Sequence, residues 1–88
     1  VMQYAVLLHM MAQVSGLEAG ELIHVIADAH IYDRHVPIVE ELIARTPYDA
    51  PAFWMDRSVT DFYAFTRDSF RLEGYQAHLL EAKIPVAV

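Results

Sequence analysis

The chain has 88 residues, a formal net charge of −6 and no cysteine, and 56% of its residues are hydrophobic. The length allows at most one small domain, the acidic balance argues against nucleic-acid binding, and the lack of cysteine excludes disulfides, thiolate metal sites and a cysteine nucleophile within these residues. The apolar fraction exceeds the roughly 45–50% of an average soluble domain, although no apolar run approaches the ~18 residues of a membrane span. This excess predicts a surface that is buried against more polypeptide, a second subunit, or both.

The first predicted element is a helix from Val1 to Val14. Its apolar residues fall nearly all round the axis, which is typical of a buried helix. The helix is expected to end at Ser15-Gly16, because glycine adopts the left-handed conformation at a helix C-terminus without steric cost. The chain begins inside this apolar pattern, so we expect it to be a truncated chain.

A long strand is predicted from Glu21 to Tyr32. Strand alternation gives one wholly apolar face, expected to lie in a core, formed by Ile23, Val25, Ala27, Ala29 and Ile31. The opposite face starts apolar and becomes polar toward its C-terminal end, and consists of Leu22, His24, Ile26, Asp28, His30 and Tyr32. Polar side chains that collect at a strand end are typical of a ligand site in α/β proteins.

The remaining elements are shorter. A second helix is predicted over Asp33–Arg45, with Pro37 tolerated in its first turn. Strands are predicted over 52–55 and 70–75, and Ser58 is predicted to cap a short helix from Val59 to about Phe65. The tail from Gln76 onward has no clear pattern. Together these elements predict an α+β fold that, alone, leaves the apolar face of the long strand without a partner.

The polar face that carries Asp28, His30 and Tyr32 has three interpretations. Imidazole and phenol groups both donate and accept hydrogen bonds, which suits the hydroxyls of a sugar. A metal site is a second possibility, with His35 close to Asp28 and His30. The third is a set of satisfied polar groups in a core or at a strand end, and residue spacing alone leaves all three open.

Two further features have alternative interpretations. The apolar end Pro85–Val88 is either a frayed terminus or a lid that folds over a ligand and excludes water. The aromatic residues are most simply core or interface side chains, although stacking on a base or a pterin is conceivable; they are Phe53, Trp54, Phe62, Tyr63, Phe65 and Phe70.

Several segments resemble those of thymidylate synthases. The first helix, Y-A-V-L-L-H-M-M-A-Q (4–13), is similar to a helix of that family. The predicted strand and the residues after it, G-E-L-I-H-V-I-A-D-A-H-I-Y-D-R-H (20–35), resemble a strand and helix start of the family. The resemblance continues through R-T-P-Y-D-A-P (45–51), D-S-F-R-L-E-G-Y (68–75) and K-I-P-V-A-V (83–88). It spans essentially the whole chain, and D-A-H-I-Y combined with the terminal segment is specific. The chain is thus expected to be the C-terminal segment, 1–88, of a single thymidylate synthase domain whose N-terminal catalytic part is absent here.

The resemblance implies a methyltransferase that converts dUMP to dTMP, with 5,10-methylenetetrahydrofolate supplying the one-carbon unit and the hydride. By this resemblance His30 and Tyr32 bind the 3′-hydroxyl of the deoxyribose, Ala87 and Val88 close over the folate, and Asp28 supports the strand end. The family is a cytoplasmic homodimer, and no metal is implied.

The family's nucleophilic cysteine, phosphate-binding arginines and uracil-reading Asn and Asp lie upstream of Val1. The resemblance therefore implies no catalytic residue within the segment and no turnover by the segment alone. Two alternatives stay open: a related pyrimidine-nucleotide hydroxymethylase, and a non-catalytic dimerisation module.

Two departures from the family pattern are visible. Ala27 replaces the usual glycine before Asp28, and an added methyl group could tighten the backbone there. Residues 78–83 replace a shorter H-P-x-I-K segment, with one extra residue and no proline, which affects the expected placement of the tail.

Overall fold

The computed structural model describes residues 1–86. Helix α1 (Met2–Val14) comes first, and helix α2 (Val36–Ile43) follows a 3₁₀ turn at Asp33–His35. Strands β1 (Ala52–Met55) and β2 (Phe70–Glu73) form one antiparallel pair, with 3₁₀ turns at Phe62–Ala64 and Arg67–Ser69 between them. Within the described residues, no helix has the length and apolar character needed to cross a membrane. The predicted α+β composition is confirmed.

Helix α1 ends in a Schellman motif. Gly16 has a φ of 68°, its amide donates to the Gln13 carbonyl at 3.1 Å, and the Leu17 amide donates to the Ala12 carbonyl at 2.8 Å. Both bonds occupy carbonyls that the last turn of a helix otherwise leaves without a partner. The predicted end of this helix at glycine is therefore confirmed.

The antiparallel pair places its apolar side chains against α1. Phe53 lies opposite Leu72, and Met55 lies opposite Phe70, so all four project from one face of the pair. The ring centroid of Phe53 is 5.2 Å from that of His9 in α1. On the other face, the Arg71 guanidinium lies 4.4 Å from the centre of the Trp54 ring, a cation–π contact.

A polar bridge and a row of aromatic rings complete this unit. The Gln13 side-chain amide donates to the carbonyls of Asp56 (2.8 Å) and Val59 (2.7 Å), which joins α1 to the loop after β1. Ring contacts with centroid separations of 5.5–6.4 Å run in order through Phe53, Phe70, Phe65 and Phe62. These rings therefore form a half-buried apolar cluster beneath the strand pair and beside α1.

The cap predicted at Ser58 is wrong. Its backbone amide and hydroxyl both donate to Asp56 Oδ1, at 2.9 and 2.7 Å, so the hydroxyl is already engaged in a turn that precedes any helix. Asp61 is the cap instead, since its carboxylate accepts the Tyr63 amide at 3.0 Å. The helical turn that follows covers only Phe62–Ala64.

The bonds at Ser58 also affect the Asp56 carboxyl. The Ser58 hydroxyl first, then its amide, with the Arg71 charge in support, hold the pKa of Asp56 below its ordinary value. The ionised form is thus favoured in the folded state, and its contribution to stability is complete above the ordinary pKa and lost as pH falls through the lowered one. We expect Ser58→Ala in the complete protein to raise the pKa of Asp56, as measured by a carbon-detected NMR titration. An unchanged pKa would show that Ser58 is not the cause.

The long strand predicted over Glu21–Tyr32 is absent. Residues 17–32 have neither helix nor strand, and a bend lies at Ala27–Asp28. A strand needs a neighbour to accept and donate its backbone bonds, and in the described structure the two strands pair only with each other. The face expected in a core is open, with Ile23 81% and Val25 83% exposed.

The second predicted helix is confirmed as α2 and its preceding 3₁₀ turn. Pro37 lies at the start of α2, as expected. Glu41 and Arg45 form an i,i+4 ion pair, with 2.6 Å between Oε1 and Nη2. The Pro37 ring has no N–H, and the first helical turn needs none, which explains why the helix starts here.

The chain as a whole is open rather than densely packed. Its radius of gyration is 17.1 Å, against about 12 Å for a packed domain of this length. Its accessible surface is 7872 Å², against about 5,200 Å² for a folded monomer of this mass. Ala12 and Ser69 are the buried residues of the described part, so the prediction of a buried α1 is wrong for this chain alone. The apolar excess of the composition thus appears in the structure as uncovered surface.

Candidate functional site

The candidate site occupies the bend and the 3₁₀ turn before α2. Tyr32 is in an extended conformation, with φ −71° and ψ 141°, and the 3₁₀ turn begins at the next residue. The His35 amide donates to the Tyr32 carbonyl at 2.8 Å. Because residues three apart in a 3₁₀ turn lie above one another, the turn brings the His35 side chain over Tyr32.

His30 and Tyr32 form an exposed pair of rings. Their centroids are 5.1 Å apart and their planes meet at 82°, an edge-to-face contact. Both side chains are open to solvent, and Tyr32 is 51% exposed. The two residues expected to share one face therefore do lie side by side, although no sheet holds them. Extended backbone is sufficient, since it directs residues i and i+2 to the same side.

The hydrogen bond at His30 determines which of its nitrogens carries the proton. Nδ1 lies 2.9 Å from the Asp28 carbonyl oxygen, and a carbonyl only accepts, so Nδ1 is the donor. In the neutral ring, Nε2 is then an acceptor. The pair thus offers an imidazole acceptor beside a phenol that both donates and accepts, which matches the needs of a ligand hydroxyl.

Asp28 contributes its main chain rather than its carboxylate to this arrangement, since the bond from His30 ends on its carbonyl oxygen. The bend at Ala27–Asp28 does not require glycine, because no non-glycine residue in the described chain has a positive φ. The alanine found in place of the family's usual glycine is therefore accommodated without backbone strain.

His35 and Arg34 make contacts at the site that the sequence did not reveal. The His35 ring packs edge-on against Tyr32, with centroids 5.7 Å apart and planes at 87°. Its Nε2 donates to the Pro85 carbonyl at 2.8 Å, and Arg34 Nη1 donates to the Val86 carbonyl at 3.3 Å. The spacing of Tyr32 and His35 could have indicated their contact, but nothing local indicates a bond to a residue 50 positions away.

The end of the described chain therefore lies beside the candidate site. Residues up to Val86 run past Arg34 and His35. Ala87 and Val88, which were expected to close over a folate, lie outside the described residues.

The other members of the predicted polar face do not join the site. His24 makes no ring contact or hydrogen bond with His30 or Tyr32 in the part of the chain that the structure describes. Within residues 1–86, no three His, Cys, Asp or Glu side chains are grouped so that they could hold a metal ion. One nitrogen of His30 and one of His35 are also already bonded to carbonyls.

Two concavities of the described structure lie elsewhere. One cleft of about 560 Å³ and another of about 400 Å³ border α1 and the strand pair, and His9 and Phe53 line both. Neither is lined by His30 or Tyr32. Both are open grooves; Glu18 and Arg57 are among the residues that line the first, whereas mostly apolar residues line the second. The candidate site is therefore distinguished by its chemistry and not by the size of a cavity.

Comparison with known proteins places the whole chain in one family. The family model "Thymidylate synthase" matches residues 1–88. The thymidylate synthase of Clostridium beijerinckii is 45% identical over 78 residues, which cover 86% of this chain and 30% of that protein. The solved structure of the thermostable thymidylate synthase A from Bacillus subtilis matches with a TM-score of 0.89 and 43% identity, over 98% of this chain and 31% of that chain. The predicted fold resemblance is confirmed, and the chain spans about a third of the length of these relatives.

Proposed function

The chain belongs to the thymidylate synthase family, and from this premise we propose that it is the C-terminal segment of an enzyme that methylates dUMP to dTMP with 5,10-methylenetetrahydrofolate. In this proposal the segment supplies recognition of the deoxyribose and the closing tail. The N-terminal part of the same domain supplies the reacting groups.

The observation that carries the proposal is the exposed pair of His30 and Tyr32, in edge contact at 5.1 Å. A sugar hydroxyl has one proton to donate and lone pairs that accept. In this proposal Nε2 of His30 accepts a hydrogen bond from the hydroxyl, and the phenol of Tyr32 donates one to the hydroxyl oxygen. Asp28 supports the pair by fixing the His30 tautomer through its carbonyl.

The tail is proposed to complete the site. The segment ending at Val86 is held next to Tyr32 by Arg34 and His35. Ala87 and Val88 follow directly, and we propose that these apolar residues close over the folate. A closed apolar tail excludes water from the reaction and strengthens polar interactions inside it.

The remaining groups must come from outside these 88 residues. The covalent step needs a thiolate, and the chain has no cysteine. A dianionic phosphate needs cationic side chains, whereas this chain has a net charge of −6. The uncovered apolar surface supports the proposal that the rest of the polypeptide and a second, identical subunit pack here. A cytoplasmic enzyme without a metal is part of the same proposal.

Product analysis of the complete protein tests this function. We expect it to form dTMP and dihydrofolate from dUMP and methylenetetrahydrofolate, followed by the absorbance of dihydrofolate and by chromatography of the nucleotide. The matched control is dCMP, which differs from dUMP only in the base. Hydroxymethylation of either nucleotide without dihydrofolate formation would favour the hydroxymethylase, and no turnover of either would favour a dimerisation module.

A further inference from the structure

The described end of the chain is attached by hydrogen bonds that involve main-chain carbonyls. At its beginning, His78 Nε2 donates to the Thr46 carbonyl at 2.9 Å, and Arg45 Nη2 donates to the Leu79 carbonyl at 3.1 Å. At its end, the Pro85 and Val86 carbonyls accept bonds from His35 and Arg34. We call residues 78–86 the strap, since it is fixed at both ends and has neither helix nor strand.

Side-chain packing holds the strap at its beginning, where the His78 ring stacks on Tyr48 with centroids 4.5 Å apart and Leu80 is half-buried. Toward its end the side chains are open, and Val86 is 82% exposed. The polar bonds therefore carry a large share of the attachment at the far end. Of the two bonds at the far end, the one from His35 is the shorter, at 2.8 Å against 3.3 Å for Arg34.

His35 is also the residue that contacts both the strap and the proposed sugar site. One edge of its ring packs against Tyr32 at 5.7 Å and 87°, while Nε2 donates to the Pro85 carbonyl. A ligand that fixes the Tyr32 ring restricts the orientations open to the His35 ring. That restriction favours the orientation that bonds the strap, and by linkage a docked strap favours the ligand-bound state of Tyr32.

We propose that His35 is a positioning residue that couples sugar binding at Tyr32 to docking of the strap, and through the strap to binding of the folate co-substrate. The inference rests on the function proposed above. His35 touches no reacting atom in this scheme. It acts by transmitting the state of the nucleotide site to the strap, which precedes the two residues proposed to close over the second substrate.

The coupling is measured on the complete protein with dUMP and tetrahydrofolate, which lacks the one-carbon unit and so cannot react. We expect dUMP to increase the affinity for tetrahydrofolate in the wild type. In His35→Ala this increase is expected to fall by about five- to tenfold, the effect of losing one hydrogen bond. Arg67→Ala removes an exposed charge from the 3₁₀ turn at Arg67–Ser69, which is not part of the strap, and is the control expected to match the wild type.

A second variant separates coupling from attachment. His35→Gln keeps a side-chain N–H that can donate to the Pro85 carbonyl but loses the ring that contacts Tyr32. Attachment is read without any ligand from the rate at which a lysine-specific protease cuts after Lys83, with mass spectrometry of the released peptides to separate this cut from others in the complete protein. We expect His35→Ala to be cleaved faster than the wild type. His35→Gln is expected to be cleaved like the wild type, yet to lose the coupling.

The outcomes distinguish this inference from the proposed function. A wild type that binds dUMP and forms dTMP, but whose coupling is unchanged in both His35 variants, overturns the inference and leaves the function intact. A wild type that does not bind dUMP overturns both. If His35→Gln keeps full coupling while His35→Ala loses it, the coupling depends on the hydrogen bond to the strap, and transmission through the two rings is overturned.

Discussion

The Tyr32→Phe variant of the complete protein is expected to bind dUMP about 5- to 30-fold more weakly than the wild type, corresponding to about 1–2 kcal/mol. The change removes one hydroxyl and leaves the ring that packs against His30 and His35. The loss should therefore report the hydrogen bond to the sugar and not a collapse of the local structure. Isothermal titration with dUMP measures it directly.

A matched ligand and a matched variant make this test specific. The nucleotide 2′,3′-dideoxyuridine 5′-monophosphate lacks the 3′-hydroxyl, so we expect Tyr32→Phe to bind it as the wild type does. Tyr63→Phe makes the same change at a side chain that is 92% exposed on a separate turn, and should leave both affinities unchanged. Equal dUMP affinity in Tyr32→Phe and the wild type would contradict the role proposed for Tyr32.

The isolated 88-residue chain is expected to show no synthase turnover and at most weak binding of dUMP. It contains no cysteine to attack the base and few cationic groups to hold the phosphate. The sugar-binding pair alone would supply only two hydrogen bonds, each of about 1 kcal/mol. Turnover assays and titration with dUMP check this, and micromolar affinity would contradict it.

The exposed surface of the isolated chain leads to a separate prediction about its behaviour in solution. An accessible area of 7872 Å² includes apolar faces that water solvates poorly. We therefore expect the isolated chain to bind a hydrophobic dye and to self-associate. The complete protein should bind the dye and associate no more than an ordinary folded enzyme does. A compact, dye-negative monomer would show that these residues pack differently when alone.

Local signals predicted the helices and the short strands well. Gly16 marked the end of α1 and Pro37 the start of α2; a strand formed at 52–55 as predicted, and the strand predicted over 70–75 covers 70–73. Each of these depends on backbone preferences and on neighbours close in sequence. The Ser58 cap failed because Asp56 already binds the Ser58 hydroxyl in a turn, and Asp61 caps the helical turn instead.

The long strand failed for a different reason. Alternation along 21–32 identifies an extended segment with two distinct faces, but a strand also needs a partner, and none pairs with it among the described residues. The extended conformation itself was predicted correctly at Tyr32. That is why the adjacency of His30 and Tyr32, which needs only extended backbone, could be predicted although the sheet could not.

Long-range contacts of the site were beyond local reasoning. The bonds from Arg34 and His35 to the strap join residues that are 52 and 50 positions apart. Their acceptors are backbone carbonyls, which every residue possesses, so no side-chain pattern marks them. The sequence identified His35 only as a possible metal ligand, and its position between Tyr32 and the strap required the three-dimensional structure.

Four hydrogen bonds hold the strap in place, and in three of them the acceptor is a main-chain carbonyl oxygen of the strap itself. Natural variation in the amino acids at 79–86 should consequently be well tolerated, provided that the span between the two anchoring ends is preserved. The extra residue and the missing proline at 78–83 would then change the length and stiffness of the segment between the two hydrogen-bonded ends, while the hydrogen bonds at those ends remain.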